Sequence, residues 1–175
     1  VKAVSTEIVE LEIARYDWDA LRCGCGGSAA HVAAELLTLA RAGTEDDARF
    51  EVLEGHAMTP EVLLEPALPV VSVALAALAD QVSPLARFTF LEMLLLIVSA
   101  ESQPSELALL GRDLPGECRA AARAGLWLLY AEVFSGGSVG SSSYAYEILT
   151  IVEEDPDRLE RVRDAAGDRL SWDLR

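Results

Sequence analysis

The sequence predicts an all-α fold, an α-solenoid or irregular helical bundle of antiparallel helix pairs forming a single domain over residues 1–175. Three observations predict it. From residue 28 onward apolar residues recur at i, i+4 and i+7, the period of a helix with one buried face. The stripes begin at helix-start pairs such as Ser83-Pro84 and Asp155-Pro156. The connections between them are short enough to bring each helix back beside the one before it.

The first thirteen residues alternate weakly around Val9, Leu11 and Ile13, and strand, coil and helix are all open there. Ser28 is placed to cap a helix whose stripe is Val32, Leu36 and Leu39, with Gly43 ending it. Thr44 opens a second helix, with Glu45, Asp46 and Asp47 complementing the dipole of its first turn and Phe50, Leu53 and Ala57 as its apolar edge. Thr59-Pro60-Glu61 is another start signal. Pro66 and Pro69 each remove a backbone donor and crowd the carbonyl four residues earlier, so the stretch to Asp80 is expected to be kinked or split in two.

Ser83-Pro84 begins the most hydrophobic helix. Phe88, Leu91, Leu95 and Val98 form one stripe while Leu94, Leu96 and Ile97 fill the other sides, so this element is expected to be central and most buried. Residues 103–113 read as a connector with a short helical turn from Ser105. Pro115 opens a long helix carrying Cys118, Ala122, Gly125, Trp127, Leu129, Tyr130 and Phe134. Gly136-Gly137-Ser138-Val139-Gly140, with Ser141, Ser142 and Ser143, has the composition of a flexible loop. Tyr144, Ile148 and Ile151 mark a further helix ending near Glu154. Asp155-Pro156 caps the last, with Leu159, Val162 and Ala166 facing inward.

Composition narrows the function classes. Twenty-nine Asp and Glu stand against fourteen Lys and Arg, a formal charge of -15 that repels phosphate backbones and anionic lipid alike, so nucleic acid and membrane surfaces are excluded as partners. Hydrophobic residues make up 51% of the chain, more than an acidic disordered segment carries, so the charge decorates a real core. The longest apolar stretch, Ala67–Ala79, is interrupted by Pro69 and Ser72 and falls short of the roughly 20 residues a membrane span needs. Glu7, Glu10 and Glu12 stand where an export signal would be apolar. The odd number of cysteines, Cys23, Cys25 and Cys118, fits a reducing compartment, and a cytoplasmic location is expected.

The most unusual local sequence is Cys23-Gly24-Cys25-Gly26-Gly27, with His31 six positions after the second thiol. These three are soft ligands for zinc or copper, but a structural zinc site takes four, with wider thiol spacing, and only His56 or Cys118 could complete the set from elsewhere in the fold. The expectation is therefore a glycine-rich turn with no metal and no cofactor. Ser135-Gly136-Gly137-Ser138 lacks the lysine and preceding strand of a phosphate-binding loop. No motif sets a serine beside a histidine base, so no catalytic residue is assigned. The carboxylates are the broader signal. Glu45, Asp46, Asp47, Glu51 and Glu54 crowd one segment, Glu153, Glu154, Asp155, Asp157 and Glu160 another, and both clusters are candidate faces for a basic protein. Trp18, Trp127, Trp172, Tyr16, Tyr130, Tyr144 and Tyr146 are candidate aromatic anchors.

The succession Trp18-Asp19-x-Leu21, Cys25-Gly26-x-Ser28-Ala29 and Glu65-Pro66-Ala67-Leu68-Pro69, followed by a leucine-rich helix, resembles small HEAT-like helical repeat proteins of GC-rich bacteria. No clean period of about 40 residues is visible, a departure expected of degenerate repeats. The resemblance implies a protein-binding solenoid over most of residues 16–165 and brings no catalytic residue. With the acidic charge it leads to an expected function: a non-enzymatic immunity protein that neutralises a cognate bacterial toxin by occluding a basic surface. The alternatives are a structural or regulatory HEAT-like adaptor and, third, a metal-dependent enzyme using Cys23, Cys25 and His31.

Overall fold

A computed structural model of the protein describes residues 5–45, 48, 53–135 and 137–175. It is all-α: helix makes up 62% of the described residues, among which no strand occurs. In chain order the helices are α1 (Glu7–Ala14), α2 (Ala30–Ala40), α3 (Ala67–Ala79), α4 (Pro84–Val98), α5 (Glu106–Leu109), α6 (Leu114–Arg123), α7 (Leu126–Ser135), α8 (Val139–Val152) and α9 (Pro156–Ala166), followed by short 3-10 turns at Gly167–Arg169 and Trp172–Leu174. None of these helices is long and apolar enough to cross a membrane.

The core lies where α3 and α4 meet α6, α7 and α8. Helix α3 is uninterrupted rather than kinked: Pro66 is its N-cap and Pro69 falls in its first turn, where the missing N–H has no intrahelical acceptor to lose. It buries nine of its thirteen residues, whereas α4 buries eight of its fifteen, so α3 is the more enclosed of the two. The buried face of α4 runs through Phe90, Leu94 and Ile97, leaving Leu95 half-buried and Leu96 exposed.

The long helix expected from Pro115 is two, α6 and α7. They part at Gly125, where a Cβ would stand 2.3 Å from Leu75 Cδ2, so α3 packs into the gap that glycine leaves. The serine run is not a loop. Ser138 caps α8 by accepting from Ser141 N–H, and Ser141, Ser142 and Ser143 are buried in the helix's opening turns. Ser142 Oγ donates to Glu132 O, and Ser143 Oγ accepts from Ser171 N–H, so small polar side chains serve close packing there.

Much of the expected helix from Thr44 lies outside the described residues; Leu53 and Ala57 are buried, but in turns. Thr59-Pro60 starts no helix. Thr59 Oγ1 accepts from Glu61 and Val62 N–H, closing a side-chain turn that competes with helix formation. Ser28 bonds Asp19 instead of capping α2.

Helix ends are tied across the bundle by charged side chains. Arg87 donates to Leu78 and Asp80 carbonyls at the end of α3, Arg119 to Val98 and Ala100 at the end of α4, and Arg123 to Val152 at the end of α8. Each guanidinium supplies donors to carbonyls left without partners where the dipole is negative. Asp80 does the converse, its buried carboxylate accepting from Ile8 N–H at 2.8 Å and Val9 N–H at 3.3 Å and so capping α1 from the end of α3. Burial alone would raise the Asp80 pKa; the N–H groups of Gln81, Ile8 and Val9 outweigh it and hold the group below the ordinary carboxylate range.

Candidate functional sites

Cys23, Cys25, His31 and His56 meet in one place, with one ligand atom from each lying within 4.8 Å of all the others. His56 Nδ1 is 2.9 Å from His31 Nε2 and 3.1 Å from Cys23 Sγ, and His31 Nε2 is 3.5 Å from the same sulfur. The four come from three pieces of chain. Cys23 and Cys25 sit on the turn before α2, His31 in the first turn of α2, and His56 in the turns that precede α3.

Backbone bonds hold those pieces together. Cys23 N–H donates to Gly27 O at 2.9 Å, closing the glycine turn, and Gly24 N–H donates to His56 O at 3.1 Å, pinning that turn to the His56 segment. Gly26 has φ +89, a conformation costly for residues with a Cβ. At Gly24 a Cβ would lie 2.3 Å from Gly55 O, so the two backbones approach at a distance only glycine allows. Burial raises the Cys23 thiol pKa, while the Gly27 N–H, then the bond with Cys23, lowers that of exposed Cys25.

Of the two groups that sequence spacing leaves able to complete the ligand set, the fold uses His56. Cys118 is buried in α6 instead, its thiol pushed up to about 12 chiefly by burial. No local motif announces His56, because it stands 33 positions from Cys23 and joins it only through the turns between α2 and α3. The available signal was scarcity: the chain has three cysteines and two histidines, and four of these five groups converge.

The acidic clusters are placed unequally. Asp46, Asp47 and Glu51 lie outside the described residues, while Glu45 and Glu54 are exposed. In the second cluster Glu153 is engaged internally: it accepts from Tyr130 Oη, from Glu154 and Asp155 N–H and from Arg158. Burial would raise its pKa, but the Tyr130 bond, the two N–H groups and Arg158 hold it low. Asp155 caps α9 by accepting from Arg158 N–H. Glu154, Asp157 and Glu160 face solvent.

Beside this cluster Trp127 is 72% exposed, with the Arg158 guanidinium 5.6 Å from its ring centroid and Tyr130 5.5 Å away. Trp172 is also exposed; Trp18, Tyr130 and Tyr146 are buried, and Tyr144 stacks on Phe88. No family model, curated protein or solved structure matches the chain.

Proposed function

We propose that this chain is a non-enzymatic, acidic helical-repeat domain that binds a basic partner protein through its α7–α9 end, acting as an immunity protein toward a cognate toxin. The observation that carries the reading is Trp127. A large aromatic ring left mostly in water is held by Arg158 and Tyr130, and the exposed carboxylates Glu154, Asp157 and Glu160 lie on the adjoining chain. An aromatic anchor with an acidic surround suits a protein surface rich in lysine and arginine: the ring supplies desolvated contact area and the carboxylates steer the encounter. The charge of -15 extends that attraction over the whole approach.

The repeat character rests on the resemblance and on packing in pairs. Helices α3 and α4 pack together, as do α7 and α8, and the pairs join chiefly through α4 with α8, as two stacked repeats would, while α6 packs against α3. The toxin as partner comes from the resemblance.

Protein immobilised through its amino terminus and exposed to extract of the native cell should retain a basic protein, whose gene is expected beside its own. Trp127→Ala should speed dissociation roughly tenfold or more, and Glu154→Lys with Glu160→Lys should slow association and flatten its salt dependence. Retention of no basic protein, or of one indifferent to both changes, would refute the reading.

A further inference from the structure

We infer that Cys23, Cys25, His31 and His56 form a closed zinc(II) site that staples the turn before α2 to the turns before α3. The donor set is the first reason. Two thiols and two imidazoles are a structural zinc set, and they are drawn from a chain that has only one other cysteine and no other histidine.

Geometry is the second. Zinc at ~2.3 Å from sulfur and ~2.0–2.1 Å from nitrogen, in a tetrahedron, separates its ligand atoms by roughly 3.3–3.8 Å. The contacts of 2.9, 3.1 and 3.5 Å among Cys23, His31 and His56 need to open by a few tenths of an ångström at most, and no pair in the cluster exceeds 4.8 Å. Cys25 can make up the remaining difference: it is exposed and is followed by Gly26 and Gly27, around whose Cβ positions no atom lies closer than 3.8 Å.

Proton accounting is the third reason. A neutral imidazole nitrogen carries either one hydrogen or one in-plane lone pair. His31 Nε2 and His56 Nδ1 lie in hydrogen-bond geometry with each other and with the same sulfur. Protons can serve all three contacts only through shared, bifurcated bonds, whereas a cation at the common point accepts one lone pair from each ligand atom. Binding converts two thiols to thiolates, so each zinc releases two protons and the centre is electrically neutral.

Four protein ligands fill the tetrahedron and leave no position for an activated water, so the metal holds the fold rather than performing hydrolysis. It would cross-link Cys23 to His56, joining loops that among the described residues are otherwise held by turn hydrogen bonds and a few buried side chains.

The test is titration of reduced, chelator-treated full-length protein with zinc chloride alone, followed by calorimetry in buffers of different ionisation enthalpy, with cobalt(II) as the spectroscopic probe. The expected result is one zinc per chain, two protons released, and a tetrahedral cobalt spectrum with thiolate charge-transfer absorption. His56→Ala should weaken uptake by more than about a hundredfold, exceeding the loss usual for a supporting residue. Cys25→Ser, at an exposed position that leaves folding intact, should do likewise and halve the thiolate absorption, while Cys118→Ala should change neither. Absence of stoichiometric uptake, uptake indifferent to Cys25→Ser, or uptake abolished by Cys118→Ala would each overturn the site.

Discussion

The described residues of 67–152 and those of 15–66 are held together by different means. In the first stretch α3, α4, α6, α7 and α8 bury aliphatic faces against one another, and Phe90, Leu94, Ile97, Leu129, Ile148 and Leu149 are wholly enclosed. Hydrophobic burial there scales with area and needs no particular bond. In the second stretch α2 is the one helix among the described residues, and the turns on either side of it pair with each other. Gly24 N–H bonds to His56 O between them, while the bonds of Gly55 to Met58 and of Leu64 to Ala57 close the turns after α2. These turns bury Trp18, Leu53, Ala57 and Leu63 but present no continuous helical face, so their arrangement depends on those side chains, a few backbone contacts and the Cys/His cluster. The contrast teaches that in a small helical domain the segment poor in helix is the one for which a cross-link matters.

The largest effect should come from breaking a bond inside the packed half. Glu132 is buried against Arg87, its carboxyl pushed up by burial and pulled partly back by the guanidinium, and its Oε2 has no protein partner. Arg87→Ala leaves that carboxylate without its counter-ion and strips the end of α3 of two donors, so it should cost about 3–5 kcal/mol in urea denaturation. Because Glu132 can escape the penalty by taking up a proton, the loss should be smaller at pH 5 than at pH 7. Adding Glu132→Leu should recover much of it; a double variant no better than the single one would show that the helix cap, not the stranded charge, sets the cost.

A smaller and more local effect is expected in the other half. Gly24→Ala drives a methyl group into Gly55 O and Leu64 Cδ1, contacts of 2.3 and 2.6 Å, at about 1–3 kcal/mol. Hydrogen exchange should quicken at residues 22–28 and 53–58 while α4 and α8 stay protected, and zinc uptake should weaken with it. Equal loss of protection throughout would mean that the two halves unfold as one unit.

The smallest effect probes the joint at α1. With its folded pKa held below the ordinary value, Asp80 contributes stability that is complete above the unfolded pKa of about 3.9 and fades as pH falls toward the folded value. Asp80→Asn should cost about 1 kcal/mol at pH 7 and remove that part of the acid dependence. A variant whose stability falls with acid as steeply as the parent's would assign the dependence to other carboxylates.

What the sequence determined by itself is the local chemistry of helices. Ser83-Pro84 and Asp155-Pro156 start α4 and α9 where expected, the turn from Ser105 is α5, and Val32, Leu36 and Leu39 are the buried stripe of α2. A cap and a stripe are contained in four to eight consecutive residues, so they can be read without knowing the fold. Tertiary structure decided whatever depends on a distant neighbour. Leu75 selects the break at Gly125, the contact of α8 with α7 turns a serine run into helix, and the turns on either side of α2 bring His56 to Cys23. Capping of α1 by Asp80 and the burial of Glu132 against Arg87 belong to the same class. Their energies come from atoms far apart in sequence, and periodicity and spacing carry no record of which surfaces will meet.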